Sequence, residues 1–408
     1  MAPAEHQAGS YEQWLDRARA MMDAKAMPPG ALGLLQEWGA RLCALQRTLQ
    51  PSLGPTRLLT FAADHGITAE GQAPWVSPYP RSVTAAMFAA VASGQAACAV
   101  LCAANGMSLE LVDVGVDADV SAICSAGTNG SAGSSLSGSA TAANGASKSS
   151  GSTAVPGGIS VVHAKVRRGS HSMLAGPALT ADELQAALDA GAAAVARFAA
   201  TAGCPPSSCA VCIGEVGIGN TTAAAAVLAA LTGLPPEQVC GRGTGLDDAG
   251  VQRKRAAVAA ALAANASTIG DGSDPLAALA AVGGLELAAM AGAFLEAGRC
   301  GMPAVVDGFI SSVAALVAAR ADPRAAAVQF WSHASAERGA AAAAAAAGSH
   351  AQAPLSMGLR LGEGTGAVLA VPLLRSATAI ARDMASLEQV LAAAAPAAAD
   401  DPATNGSH

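Results

Sequence analysis

Three glycine-rich segments hold polar side chains where a chain could do chemistry. The most unusual is Leu359-Arg360-Leu361-Gly362-Glu363-Gly364-Thr365-Gly366, in which a carboxylate stands between glycines just ahead of an apolar stretch. Glutamate neither favours turns nor fills cores, so packing explains it poorly, and proton abstraction is the chemistry it suggests. The second segment, Gly214-Glu215-Val216-Gly217-Ile218-Gly219-Asn220-Thr221-Thr222, lies between a Cys/Val-rich strand and an alanine-rich helix. Its glycines let backbone N–H groups approach a ligand, and the helix N-terminus beyond favours an anion such as phosphate. It reads equally as a tight strand-to-helix turn capped by Asn220 or Thr221. It lacks the third glycine of a dinucleotide fingerprint and the Gly-Lys-Ser/Thr of a P-loop. The third, Gly241-Arg242-Gly243-Thr244-Gly245-Leu246-Asp247-Asp248, opens a helix carrying Arg253 and Lys254. It suits a phosphate or carboxylate, unless Asp247 and Asp248 only cap the helix.

Other polar groups end apolar runs: Asp64-His65, Ser77-Pro78-Tyr79-Pro80, Asp307-Gly308-Phe309 and Ser332-His333-Ala334-Ser335-Ala336-Glu337. His65 and His333 come singly rather than at helical i, i+4 spacing, which disfavours a metal. Cys209-x-x-Cys212 falls inside an expected strand, where side chains three apart point to opposite faces, so buried packing is favoured over a redox pair.

These residues need rigid elements behind them. The run Arg57–Ala63 reads as a buried strand that delivers Asp64 and His65 at its end. Helices are expected at 11–50 (broken at Met27-Pro28-Pro29-Gly30), 82–104, 180–202, 220–232 and 250–264, and further strands at Ser108–Val114, Ser208–Ile213 and Ala304–Val306. The alternation predicts an α/β fold with a parallel sheet covered on both faces. The polyalanine run 340–347 predicts helix followed by a loop. Residues 125–153, almost all Ser, Gly, Ala, Thr and Asn, are expected to be a disordered insertion, and 399–408 a frayed tail.

Composition narrows the function. The 408 residues are 52% hydrophobic, 3% aromatic and 13% charged, with net charge −7. An alanine-rich core follows, and nucleic acid is a poor partner. Nine cysteines lie mostly in apolar stretches and fit a reducing compartment. The N-terminal residues lack an apolar signal core, and the runs 280–297 and 367–381 are interrupted by Glu286, Glu296, Pro372 and Arg375, so a soluble protein without membrane partners is expected. A cytoplasmic location fits, with an organelle left open.

Taken in order, Phe61–Gly66, Gly214–Thr222, Gly241–Asp248, Gly283-Gly284-Leu285-Glu286, Asp307–Phe309, Ser332–Glu337 and Leu359–Gly366 resemble the nicotinate-nucleotide:dimethylbenzimidazole phosphoribosyltransferase family, which acts in assembling the lower ligand of cobalamin. The similarity runs from about residue 13 to 385, apart from the 125–153 insertion. It implies transfer of phosphoribosyl from nicotinate mononucleotide to 5,6-dimethylbenzimidazole, without metal or cofactor, giving α-ribazole 5′-phosphate and nicotinate. The pyridinium leaves with its charge neutralised, whereas the incoming benzimidazole must lose one N–H proton. The resemblance casts Glu363 as the base and Glu215 as a second active-site carboxylate steadying the cationic sugar. Gly217, Gly243, Lys254, Asp307, Gly308 and Ser335 match nucleotide contacts, and Ser77, Tyr79, Val83 and Leu361 match the slot for the aromatic base. Where many members carry glutamine, this chain has Ala86, which opens the site to other benzimidazoles or phenolic acceptors. A non-catalytic nucleotide-binding protein would need neither Glu363 nor Glu215. The resemblance further implies a Rossmann-like large domain (56–335, with the insertion), a smaller helical domain from both chain ends (1–55 and within 336–398), and a homodimer.

If the 125–153 segment is a passive insertion, deleting 126–152 should leave turnover and thermal unfolding nearly unchanged. An activity assay and a melting curve on the deleted protein check this.

Overall fold

Six strands, β1 (Thr56–Ala63), β2 (Ser108–Gly115), β3 (Ile159–His163), β4 (Ala210–Val216), β5 (Ala304–Val306) and β6 (Gln329–Trp331), pair in parallel in the order β3-β2-β1-β4-β5-β6. They come from a computed structural model that describes residues 9–69, 75–123, 158–348 and 350–394. The expected insertion at 125–153 and the tail at 399–408 lie outside the described residues. The central strands β1 and β4 are buried almost throughout, which is why they read as continuous apolar runs rather than alternating ones. The order turns back between β1 and β4, and in open parallel sheets ligands bind beyond the carboxyl ends of the strands at that point. To this edge β1 delivers Asp64 and His65, β4 delivers Glu215, β5 Asp307 and β6 Ser332 and His333.

Two boundaries differ from the sequence reading. The strand expected to end at Ile213 continues through Gly214-Glu215-Val216, so these residues belong to the sheet and not to a turn after it. Gly214 makes this possible, because a Cβ there would lie 2.3 Å from the backbone N of Gly364. The single helix expected at 82–104 is two, Ser82–Ala92 and Ala97–Ala104, parted by a turn in which Gly94 has φ of +80°. Taken whole, Ser82–Ala104 is long and apolar enough to cross a membrane by length and composition, a feature the sequence reading passed over. Here Phe88, Val91, Cys98 and Cys102 are buried and both helices lie against the sheet. Cys209 and Cys212 are buried and not joined in a disulfide, as expected of packing residues. The polyalanine run lies in the helix Arg338–Ala347.

The described residues form two compact units. The larger, Gly54–Val371, contains the sheet and every residue of the site below. The other joins the chain up to Leu53 with the chain from Pro372. Its core gathers Trp14, Leu15, Met22, Ala40, Cys43 and Ala381, and its first helix, Tyr11–Asp23, starts at a reciprocal cap between Ser10 and Gln13.

In the larger unit the helices Ala181–Thr201 and Leu285–Cys300 touch backbone to backbone. A Cβ on Gly191 would fall 1.7 Å from the carbonyl oxygen of Ala289, and one on Gly292 would fall 2.0 Å from that of Leu188. Neither collision is with a side chain that can rotate away. Gly191→Ala and Gly292→Ala should each destabilise the fold by about 1–3 kcal/mol, read as a lower urea midpoint at unchanged slope.

Candidate active site

The loop bearing Glu363 is held in a conformation that few sequences tolerate. Gly362, Glu363 and Gly364 have φ of +85°, +60° and +82°. For a non-glycine residue this left-handed region costs on the order of 1 kcal/mol. The flanking glycines are also required sterically, since a Cβ on Gly362 would lie 2.5 Å from Glu215 Oε1 and one on Gly364 2.3 Å from the Leu58 side chain. The N–H of Glu363 donates to the carbonyl of Glu215 at 3.2 Å. Asp307 Oδ2 accepts from the Gly364 N–H at 3.1 Å, and Oδ1 accepts from Gly366 and Ala367 at 2.7 and 3.0 Å. The loop is thereby tied to the ends of both β4 and β5.

Glu363 is 6% exposed, and its buried Oε2 has no hydrogen-bond partner among the described residues. Burial raises its pKa; Cys98, through its thiol and backbone N–H, draws it back, and the charge of Asp307 raises it further. Cys98 is the second residue of the helix Ala97–Ala104. Glu215 is pushed well above the usual carboxylate range, first by burial and then by Glu286, Asp307 and Glu363, against a hydrogen bond donated by the Asn220 side chain. Glu286, fully buried, has Oε1 2.8 Å from His65 Nε2, and its Oε2 has no partner among the described residues. The ends of β4 and β5 therefore lie within a buried cluster of carboxylates.

A cation lies further along the same surface. Lys254, 1% exposed, donates from Nζ to Thr221 Oγ1 at 2.8 Å, and burial lowers its pKa. Thr221 in turn donates its N–H to Asn220 Oδ1 at 2.7 Å, so the start of the helix Asn220–Thr232 runs from Glu215 to the ammonium. Gly243 (φ +54°) closes this corner, where a Cβ would come within 2.9 Å of Thr221 Oγ1. Beside it, a cleft of about 730 Å³ is lined by Arg242, Arg255, Glu337, Arg338 and Arg360. A larger cleft of about 930 Å³, around His171, Leu179 and Leu184, contains none of these carboxylates.

The other expected site residues fall into smaller groups. Gly217 sits where a Cβ would strike the Ala63 carbonyl at 2.2 Å, which seals the β1–β4 junction. Gly308 packs against His333 and Ser335, whose hydroxyl donates to the Leu359 carbonyl at 3.3 Å. Ser77 Oγ accepts from the Tyr79 N–H at 3.1 Å, and Tyr79 and Leu361 are 50% and 58% exposed. Val83 is partly exposed, and Thr84 beside it accepts the Ile218 N–H at 3.0 Å, joining that helix to the loop after β4.

Sequence reasoning missed Cys98, for which no pattern gave a signal. It also missed Asn220 and Thr221 as links between carboxylate and ammonium; their place in a singled-out segment was the available clue. Arg81, which donates to the His65 carbonyl at 2.7 Å and pairs with Asp117, follows directly on the Ser-Pro-Tyr-Pro segment.

Comparison with known proteins identifies the family. A family profile described as phosphoribosyltransferase matches residues 9–391. The nicotinate-nucleotide–dimethylbenzimidazole phosphoribosyltransferases of Chromobacterium violaceum and Ralstonia nicotianae are 43% and 40% identical to this chain, each over 91% of it and over 94% and 91% of their own lengths. The crystal structure of the enzyme of that name from Thermus thermophilus matches with a TM-score of 0.75 at 38% identity, over 93% of this chain and 98% of that one. Matched in sequence and fold across nearly its whole length, the chain belongs to this phosphoribosyltransferase family.

Proposed function

We propose that this protein transfers the phosphoribosyl group of nicotinate mononucleotide to 5,6-dimethylbenzimidazole, releasing nicotinate and forming α-ribazole 5′-phosphate with inversion at C1′. One observation carries the reading: buried carboxylates and a buried ammonium stand at opposite ends of one short stretch, Glu215-Asn220-Thr221-Lys254. A nucleotide with an anionic phosphate and a cationic glycosidic nitrogen has the complementary polarity. Lys254, Thr221 and the helix N-terminus at Asn220 hold the phosphate. Glu215 faces the ring and the sugar, where positive charge resides before and during transfer. Its raised pKa is the cost of desolvation among like charges, and a bound cation relieves it.

Glu363 takes the N–H proton of the incoming base while the other ring nitrogen bonds to C1′. Among the described residues no donor reaches Oε2, which leaves it the acceptor that a general base requires. Tyr79, Val83 and Leu361, all partly exposed, offer apolar surface to the flat ring, with Ser77 beside them. Ala86, exposed on the helix Ser82–Ala92, offers no amide to orient it, which favours tolerance for other benzimidazoles or phenols. A homodimer in the cytoplasm belongs to the same reading.

Incubation with nicotinate mononucleotide and a panel of bases, with products identified by mass, tests the proposal; absence of any ribosylated base would overturn it. Glu363→Gln should fold, still bind the nucleotide and lose about 10²–10⁴-fold in kcat. Because the base acts deprotonated and its pKa is raised, kcat should fall on acidification at a pH above the usual carboxylate range near 4.3, and Glu363→Gln should lack that limb. Lys254→Met should raise KM for the nucleotide by about tenfold or more, consistent with one charge-assisted hydrogen bond, with a smaller effect on kcat.

A further inference from the structure

Asp307 falls among the expected nucleotide contacts, yet its surroundings point elsewhere. It is 3% exposed, a carboxylate is the wrong sign for a phosphate, and both its oxygens already accept backbone N–H groups. All three donors come from one segment, Gly364–Ala367. Gly366 and Ala367 are in the first turn of the helix Thr365–Asp383, where N–H groups have no partner within the helix, so Asp307 caps that helix from the end of β5. The third donor, Gly364, matters most for Glu363.

The conformation of a residue is set by the two peptide planes that flank its Cα. For Glu363, the first plane is held by its own N–H on the Glu215 carbonyl, and the second by the Gly364 N–H on Asp307 Oδ2. Releasing either bond frees one dihedral angle, and the left-handed conformation at φ +60° is then no longer favoured. Asp307 is itself fixed: its N–H donates to Ser311 Oγ at 3.2 Å, and Ser311 donates onward to the Ile213 carbonyl in β4 at 2.9 Å.

We infer that Asp307 is a positioning residue of the transferase, whose carboxylate locks the backbone around Glu363 so that the base points at the incoming ring. This rests on the reading of Glu363 as the base. The charged and titratable groups around the pair are Cys98 from the helix Ala97–Ala104 and Glu215 from β4, both against Glu363, and His333 after β6, whose Nδ1 is 3.9 Å from Asp307 Oδ1.

Asp307→Asn keeps size and one acceptor but sets an amide N–H₂ against a backbone donor. It should lower kcat about 10–100-fold, as misplacement of a catalytic group by roughly 1 Å does, with KM for nicotinate mononucleotide within about twofold of wild type. The acid limb of the kcat profile should move to lower pH, because a like charge beside Glu363 is gone while Cys98, Glu215 and His333 are unchanged. A raised KM with intact kcat would make Asp307 a nucleotide contact and overturn the inference, as would wild-type kcat and KM together. If Asp307→Asn does not fold, Ser311→Ala, which loosens Asp307 without altering charge, carries the test: a loss confined to kcat is expected, and no loss overturns the inference. Glu363→Gln, assayed in parallel, separates the two ideas, since full turnover in that variant removes the base itself whatever Asp307 does.

Discussion

A glutamate in the left-handed backbone region is unfavourable unless its surroundings leave it no alternative, and at the end of this sheet they do. Two hydrogen bonds fix the peptide planes on either side of Glu363, one to β4 and one to the carboxylate after β5. Those strands are neighbours, with Val211–Ile213 paired to Ala304–Val306, so the register of the sheet is transmitted to the loop without an intervening flexible segment. The glycines 214, 362 and 364 are the steric condition for the same arrangement, because each admits an atom that a side chain would displace. Fold and site are in this sense a single constraint, with the strand pairing at its base.

The electrostatics follow from that geometry. Carboxylates that converge on one edge in a buried setting repel one another, and burial alone already disfavours their charged forms. The protein offsets this locally with backbone N–H groups on Asp307, an amide on Glu215 and an imidazole beside Glu286. Among the described residues Glu363 is compensated by Cys98 alone, through its thiol and backbone N–H, and it is the group to which the proposed reaction assigns the base. Lys254 shows the opposite case: a buried ammonium hydrogen-bonded to the neutral Thr221 hydroxyl, with the charge of Glu337 as a weaker influence.

Much of this was legible in the sequence, for identifiable reasons. Buried parallel strands leave continuous apolar runs, so β1, β2 and β5 were found near their true positions. A carboxylate between glycines has no packing rationale, so Glu363 stood out alone. The end of β4 was misplaced because Gly214 and Gly217 resemble turn residues, while the reason for Gly214 is a chain segment some 150 residues away. The His65–Glu286 pair, 221 residues apart, and the three bonds of Asp307 are tertiary facts with no local period. The short edge strand β3 and strand β6 were likewise not anticipated, having few residues over which a pattern could show.

Cys98 carries one more implication. A thiol reacts through its thiolate, and here burial together with the adjacent Glu363 holds the sulfur firmly in its protonated form. Ionising it would set two negative charges side by side in an apolar wall. The carboxylate proposed above as the base therefore also works against ionisation of its sulfur neighbour, so that basicity at the one group and thiol character at the other arise from the same buried contact.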